Sequence, residues 1–184
     1  KINIFDNSSN TKTRNIFIKF KNQININYFK NKNYISADNN FYQAYFHNDD
    51  EYILLLGDTY KINEILFQNI IKQIKKKKYD IVILNHASIS SKNNIEFSDS
   101  NYLFKKMGSI ATCMSTLIFH KSVFKKDIYQ KYLNTNFIHA GILFEYAYRN
   151  SFLALYIGNP SIKRNFTSNS LSQKLNWSYS DDIF

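Results

Sequence analysis

A chain of 184 residues, 44% apolar and 17% aromatic, is long and oily enough for one domain with a real core, and its single proline and four glycines exclude long disordered linkers. Cys113 is the only cysteine, which excludes an intrachain disulfide, argues against a cysteine-based metal site and fits a reducing cytoplasm. The net charge of +10 points to an anionic partner (nucleic acid, a phosphorylated substrate or an acidic membrane surface) or to a chain crowded with Lys, Asn, Ile, Tyr and Phe as a general bias.

In chain order, Ile2-Asn3-Ile4-Phe5 reads as a short strand closed by the turn Asp6-Asn7-Ser8-Ser9-Asn10. Ile16 to Phe20 is ambiguous between strand and helix. Ile24, Ile26 and Tyr28 alternate with Asn25 and Asn27, as a half-buried strand does. Ala37, Phe41, Ala44 and Tyr45 follow helical spacing, with Ser36 or Asp38 as the cap. After the polar break Asn48–Glu51, the unbroken apolar run Tyr52–Leu56 predicts a buried strand, ended by Gly57 and Asp58. Ile62, Ile65, Leu66, Ile70 and Ile74 mark a helix face running to about Lys76. The basic run Lys75–Lys78 sits at the negative end of that helix dipole, a solvated helix end before it is a nucleic-acid motif.

Ile81–Leu84 reads as another buried strand, so the run Tyr52–Leu56, the helix and Ile81–Leu84 predict a right-handed β-α-β crossover. Asn85 to Asn101 reads as a long polar loop, the kind that carries function. Thr112 to Phe119 is expected as a strand, Phe137 to Tyr148 as a helix, and Phe152 to Ile157 as a strand closed by Gly158-Asn159-Pro160. The tail from Ser168 is polar, with Leu171, Leu175 and Trp177 available for docking. No apolar run approaches the ~20 residues that span a bilayer, and no signal peptide is evident.

Ligands of open α/β sheets bind just outside the carboxyl ends of the strands, which is where Asp58 falls. An aspartate there can hold a metal, a ribose hydroxyl or a base, or simply close a turn. His86 falls at the same sheet edge. His139 lies on the Phe137–Tyr148 helix; an imidazole can act as a base at neutral pH, although a lone helical histidine is as readily structural.

Several stretches, in order, resemble family-2-like glycosyltransferases. Ile2–Ser9 is similar to a strand running into an Asp-Asn-Ser-Ser turn, and Asp38-Asn39-Asn40-Phe41 to the start of the next helix. Tyr52–Asp58 resembles the strand leading to a DxD motif, and Tyr79–Asn85 the strand after it. Ser115–Phe119 and Phe137–Leu143 resemble the abequosyltransferase-like branch, and Gly158–Ile162 the turn before the last strand.

The resemblance implies an α/β, GT-A-like, Rossmann-type domain over residues 1–165, with a mixed, mainly parallel sheet flanked by helices and a separate tail at 166–184. The family's first strand and helix do not precede Lys1, so an N-terminally incomplete domain is expected. The implied activity is a hexosyl-type glycosyltransferase of surface polysaccharide or glycan synthesis. It would move a sugar from a nucleotide-sugar donor to a glycan or lipid-linked acceptor with inversion. Its expected place is the cytoplasm, at the inner face of the membrane.

The implied roles are Asp6 and Asn40 with Asp58 for the nucleotide, Asp58 for Mn²⁺ or Mg²⁺, and His139 with Asp58 in catalysis. The departure lies at Thr59 and Tyr60, where the family carries further aspartates; Tyr60 cannot replace a carboxylate ligand. A catalytically impaired nucleotide-sugar binder is therefore the alternative. A basic nucleic-acid-binding module is a more distant one, because charge is its only support.

Overall fold

The computed structural model describes residues 1–86 and 93–164. In chain order the elements are β1 (Ile2–Asp6), α1 (Lys12–Phe20), β2 (Ile26–Lys30), α2 (Ala37–Phe46), β3 (Tyr52–Leu54), β4 (Tyr60–Ile62) and α3 (Glu64–Lys76). There follow β5 (Ile81–His86), β6 (Ile95–Phe97), α4 (Ser100–Met107), β7 (Leu117–His120), α5 (Lys126–Tyr132), α6 (Ile138–Arg149) and β8 (Ala154–Arg164). Short 3₁₀ turns at Ile110–Thr112, Met114–Thr116 and Lys121–Val123 flank β7.

The strands form a parallel pair, β1-β2, and a mixed sheet in the order β3-β7-β5-β8-β4, with β6 also on β8. β5 is the middle of the molecule. Ile81, Val82, Ile83 and Leu84 are all fully buried. Alternation sends Ile81 and Ile83 into a core shared with α2, α4, α5 and α6, and Val82 and Leu84 into a second core under α3. An apolar run without polar alternation is what a strand covered on both faces requires. Each such side chain contributes about 1.5–3 kcal/mol on burial.

β3 and β5 run in the same direction, as the sequence predicts, but they are not neighbours. β7 lies between them and pairs antiparallel with both, Ile53 and Ile81 each facing Phe119. The predicted strand Tyr52–Leu56 ends at Leu54, and Ile62 belongs to β4 rather than to the helix that follows. Ile16 to Phe20 resolves as helix. The first half of Thr112–Phe119 is 3₁₀ turn rather than strand, since Thr116 Oγ1 donates to the carbonyls of Cys113 and Ile110 and closes the backbone there. β8 does not stop at Gly158-Asn159-Pro160 but runs through it, with register shifts against Asn85 and His86.

The loop expected over Asn85–Asn101 contains β6 and the start of α4, with residues 87–92 outside the described part; the predicted tail 166–184 lies outside it too. Among the described residues, no helix is long and apolar enough to cross a membrane.

Tyr156 is fully buried on β8, and its hydroxyl has no hydrogen-bond partner among the described residues. An unsatisfied buried hydroxyl costs about 1–3 kcal/mol of desolvation. Tyr156→Phe is accordingly expected to hold or raise the denaturant midpoint, by up to about 1 kcal/mol. A clear fall in the midpoint would show that the hydroxyl is satisfied after all.

Candidate functional site

The end of β3 delivers Gly57 and Asp58 to the sheet edge. Gly57 N–H donates to the buried Ser115 Oγ at 3.0 Å, and Tyr60 N–H closes the turn on Gly57 O at 3.0 Å. Asp58 is exposed on that turn. Tyr60, the first residue of β4, places its ring edge-on to His86 at 5.8 Å between centroids, and Cys113 Sγ lies 3.5 Å from its hydroxyl. The ring contact thus brings Tyr60 and His86 together, and Asp58 lies two residues before Tyr60 on the same turn.

Among the described residues, no three His, Cys, Asp or Glu side chains converge as a metal-binding group. Asp58 alone offers one carboxylate. Mg²⁺ is commonly held by one or two carboxylates together with substrate phosphate oxygens, so this donor set suits an ion only with a diphosphate present.

His139 lies elsewhere. It is 2% exposed on the first turn of α6, its Nε2 donates to Thr112 O at 2.9 Å, and its ring stacks on Phe41. That bond fixes the neutral Nε2–H tautomer, and burial pushes its pKa down, against weaker upward pulls from the Thr112 bond and the Asp38 charge. Nδ1 is buried without a partner among the described residues. As folded, the imidazole steadies the 3₁₀ turns of residues 110–116, whose Ser115 holds Gly57. It therefore acts on the Asp58 turn through backbone rather than by contact.

Asp38 was legible from sequence only as a cap. Ser36 supplies the cap, its Oγ accepting from Asn39 N at 3.2 Å. Asp38 turns inward on the same face as Phe41 and Tyr45 and accepts from Asn136 N at 3.0 Å. Asn136 has φ 63°, a left-handed conformation asparagine tolerates, so this bond fixes the entry to α6. The signal in the sequence is the i, i+3, i+7 spacing of Asp38 with Phe41 and Tyr45.

Asp6 ends β1 and is buried. Its Oδ1 accepts from Ser8 N at 2.8 Å, and its Oδ2 accepts from Tyr28 OH at 2.6 Å and pairs with Lys30 at 3.2 Å. Burial alone would raise this carboxyl; the bonds from Ser8, Tyr28 and Lys30 outweigh it and bring it down to about 2. Asn40 spans from Asn31 Nδ2, at 3.0 Å, to the carbonyl of Phe5, tying α2 to β1. Both residues are committed to bracing the β1–β2–α2 junction. Beside Asp6 opens a cavity of about 340 Å³ lined by Asn10, Thr11, Arg14, Tyr28 and Lys30.

The Asp6 brace has a pH signature. A carboxylate depressed in the folded state adds stability above its unfolded pKa, and that stability is lost as pH falls through the folded value. Asp6→Ala is expected to cost about 2 kcal/mol at neutral pH, with the gap to wild type closing between pH 4 and about 2. Denaturation midpoints at pH 7, 4 and 2.5 measure it; a gap independent of pH would assign the loss to packing.

A second, mostly apolar cleft of about 460 Å³ lies between α4 and α6, lined by Phe104, Gly108, Thr112, Tyr132, Phe137 and Phe144 among others. It adjoins Thr112, the residue His139 holds.

No family model matches the chain, and no curated protein matches it. Solved structures do. The S. aureus TarS 1–349 crystal structure superposes with a TM-score of 0.66 at 15% identity, covering 86% of this chain and 48% of that one. The two share a mixed α/β fold, a central sheet flanked by helices. TarS 1–349 in complex with UDP-GlcNAc superposes at TM-score 0.62 and 15% identity over 89% of this chain and 48% of that one. The S. aureus TarS structure gives 0.62 and 15% over 90% and 31%. The chain thus spans about half the length, or less, of the structures it matches, and the likeness to TarS is one of fold.

Proposed function

We propose that this chain is the donor-binding part of a hexosyl-type glycosyltransferase, similar to abequosyltransferases, that serves surface polysaccharide or glycan synthesis. The observation that carries the reading is the fold shared with TarS, a fold that in TarS holds UDP-GlcNAc. In this chain it leaves one exposed carboxylate, Asp58, at the strand end where such folds take ligands. The acceptor hydroxyl attacks the anomeric carbon as the bond to the diphosphate oxygen breaks, and its proton passes to a base. One displacement inverts the anomeric centre.

Asp58 orients the donor at its ribose hydroxyls, and would meet the diphosphate only through a bound divalent ion. A divalent ion, when bound, supplies charge neutralisation for the leaving diphosphate. Tyr60 and His86 flank the same edge. Asp6 and Asn40 support the nucleobase side by fixing β1 against α2. His139 serves as a positioning residue for the 110–116 turns, and reaches a proton only if those turns open. The cleft beside Thr112 is the place for an apolar portion of a glycan or lipid-linked acceptor. Such an acceptor sets the work at the inner face of the membrane.

A second reading, a nucleotide-sugar binder without turnover, is favoured by one observation. Tyr60 stands where a ligand aspartate belongs, and it is built into β4 and against Cys113. Release of UDP from UDP-sugars, followed with and without Mn²⁺ in the presence of a lipid-linked or glycan acceptor, decides between the two. Acceptor-dependent release supports transfer. Binding without release selects the second reading.

A further inference from the structure

Helix α1 buries none of its residues. Phe17 turns inward to stack on Tyr28 at 5.3 Å, but Ile16 is 56% exposed and Phe20 44%. Lys12, Ile16 and Phe20 stand four residues apart, so they form one row along the helix. The row continues past the helix end into Ile24, also exposed, whose N–H bonds Phe20 O at 3.2 Å. Lys19 borders the row and Lys21 follows the helix.

The surroundings carry one sign. Residues 1–34 hold seven basic side chains against a single acid, which is six of the chain's ten net positive charges. That one acid, Asp6, is buried and already paired with Lys30. An apolar row edged by lysines, in a segment whose one acid is buried, is complementary to an anionic bilayer: the apolar side chains enter the acyl boundary and the ammonium groups meet headgroup phosphates. It matches neither water nor a neutral surface.

We propose that the Lys12–Ile24 row of α1 is a docking face for an anionic lipid bilayer. The face lies on an element distinct from the Asp58 edge, so the proposal does not depend on sugar transfer. The pairing of apolar and basic side chains sets it apart from mere net charge, which would bind headgroups without needing Ile16 or Phe20.

Co-sedimentation with phosphatidylglycerol-containing and pure phosphatidylcholine vesicles tests it on the full chain. Wild type is expected to pellet with the first and not the second. Ile16→Asp/Phe20→Asp and Lys19→Glu/Lys21→Glu are each expected to weaken binding at least about tenfold. Ile65→Asp, at an exposed position on α3, is expected to leave it unchanged. These side chains are exposed, so the variants keep the fold, checked by melting temperature; the lysine pair tests the face even if the apolar pair unfolds. Wild type staying in the supernatant overturns the proposal. Undiminished binding by Ile16→Asp/Phe20→Asp overturns it in favour of charge alone. A dimer in light scattering that this same variant abolishes overturns it in favour of a second copy. Stabilisation by UDP, read on the same samples without vesicles, reports on the donor site separately.

Discussion

Asp58→Ala is expected to lower sugar transfer by about a hundredfold, the cost of losing a group that holds the donor in its reacting position. The same change is expected to leave stability within about 0.5 kcal/mol, because the side chain is exposed on a surface turn. This pairing of a large activity loss with an unmoved midpoint distinguishes a ligand-facing carboxylate from a turn-forming one. The turn itself is held by Gly57 N–H on Ser115 Oγ and Tyr60 N–H on Gly57 O, neither of which involves the Asp58 side chain. Full activity in the variant would remove Asp58 from the donor site. A fallen midpoint with proportionate activity would make it a structural residue.

Gly141→Ala is expected to be the most destabilising small substitution in α6. A Cβ on Gly141 would lie inside contact distance of three carbons of the Tyr132 ring, near its root rather than its tip. The ring cannot swing clear. Its hydroxyl donates to Glu145 Oε2 at 2.6 Å, and Glu145 is further held by Lys131 at 2.8 Å and Arg149 at 2.5 Å. The Lys131 bond foremost, with those from Tyr132 and the Arg149 charge, keeps the Glu145 carboxyl down at about 2. This clamp joins α5 to α6 and presses the Tyr132 ring onto the glycine.

Overpacking of this kind costs about 1–3 kcal/mol, or about 2–4 °C in melting temperature for each kcal/mol at this chain length. The test is a cycle of Gly141→Ala, Tyr132→Ala and the double variant. The ring explains the effect if the alanine costs little once Tyr132 is gone. An equal cost in both backgrounds would trace it to something other than the ring. Because α6 also carries His139, whose bond to Thr112 steadies the 110–116 turns, Gly141→Ala should also reduce activity beyond its stability loss.

How far the sequence foretold these features follows from which forces are local. β5 and α3 were legible because their signals are strong: four apolar residues in a row, and an apolar stripe with a basic end. The cap of α2 was narrowed to two residues, and the geometry selects Ser36. Strand ends and neighbours were less legible. Tyr52–Leu56 stops early because Gly57 turns toward Ser115, 58 residues away, a contact no local pattern encodes. β7 slips between β3 and β5 for the same reason: pairing order is a property of the assembled sheet.

Asp58 and His86 could be placed at strand ends from their positions after apolar runs. The inward turn of His139 could not, since its partner is the Thr112 carbonyl and an imidazole reads alike in a core or a cleft. Asp6 illustrates the same limit. An aspartate after a strand reads either as a base-binding group or as a turn aspartate bonding its own backbone; the bond from Ser8 N–H is of the second kind, while those from Tyr28 and Lys30 come from β2 and no local pattern encodes them.

The most direct measurement is the melting temperature of the wild-type chain as UDP is raised, with and without Mn²⁺, against an adenosine diphosphate control. Binding to the folded state alone adds RT ln(1 + [L]/Kd), about 2.7 kcal/mol at a hundredfold excess over Kd. A saturable rise with UDP, lost in Asp58→Ala, is the predicted result. A melting temperature indifferent to UDP and to every other nucleoside diphosphate would contradict the account.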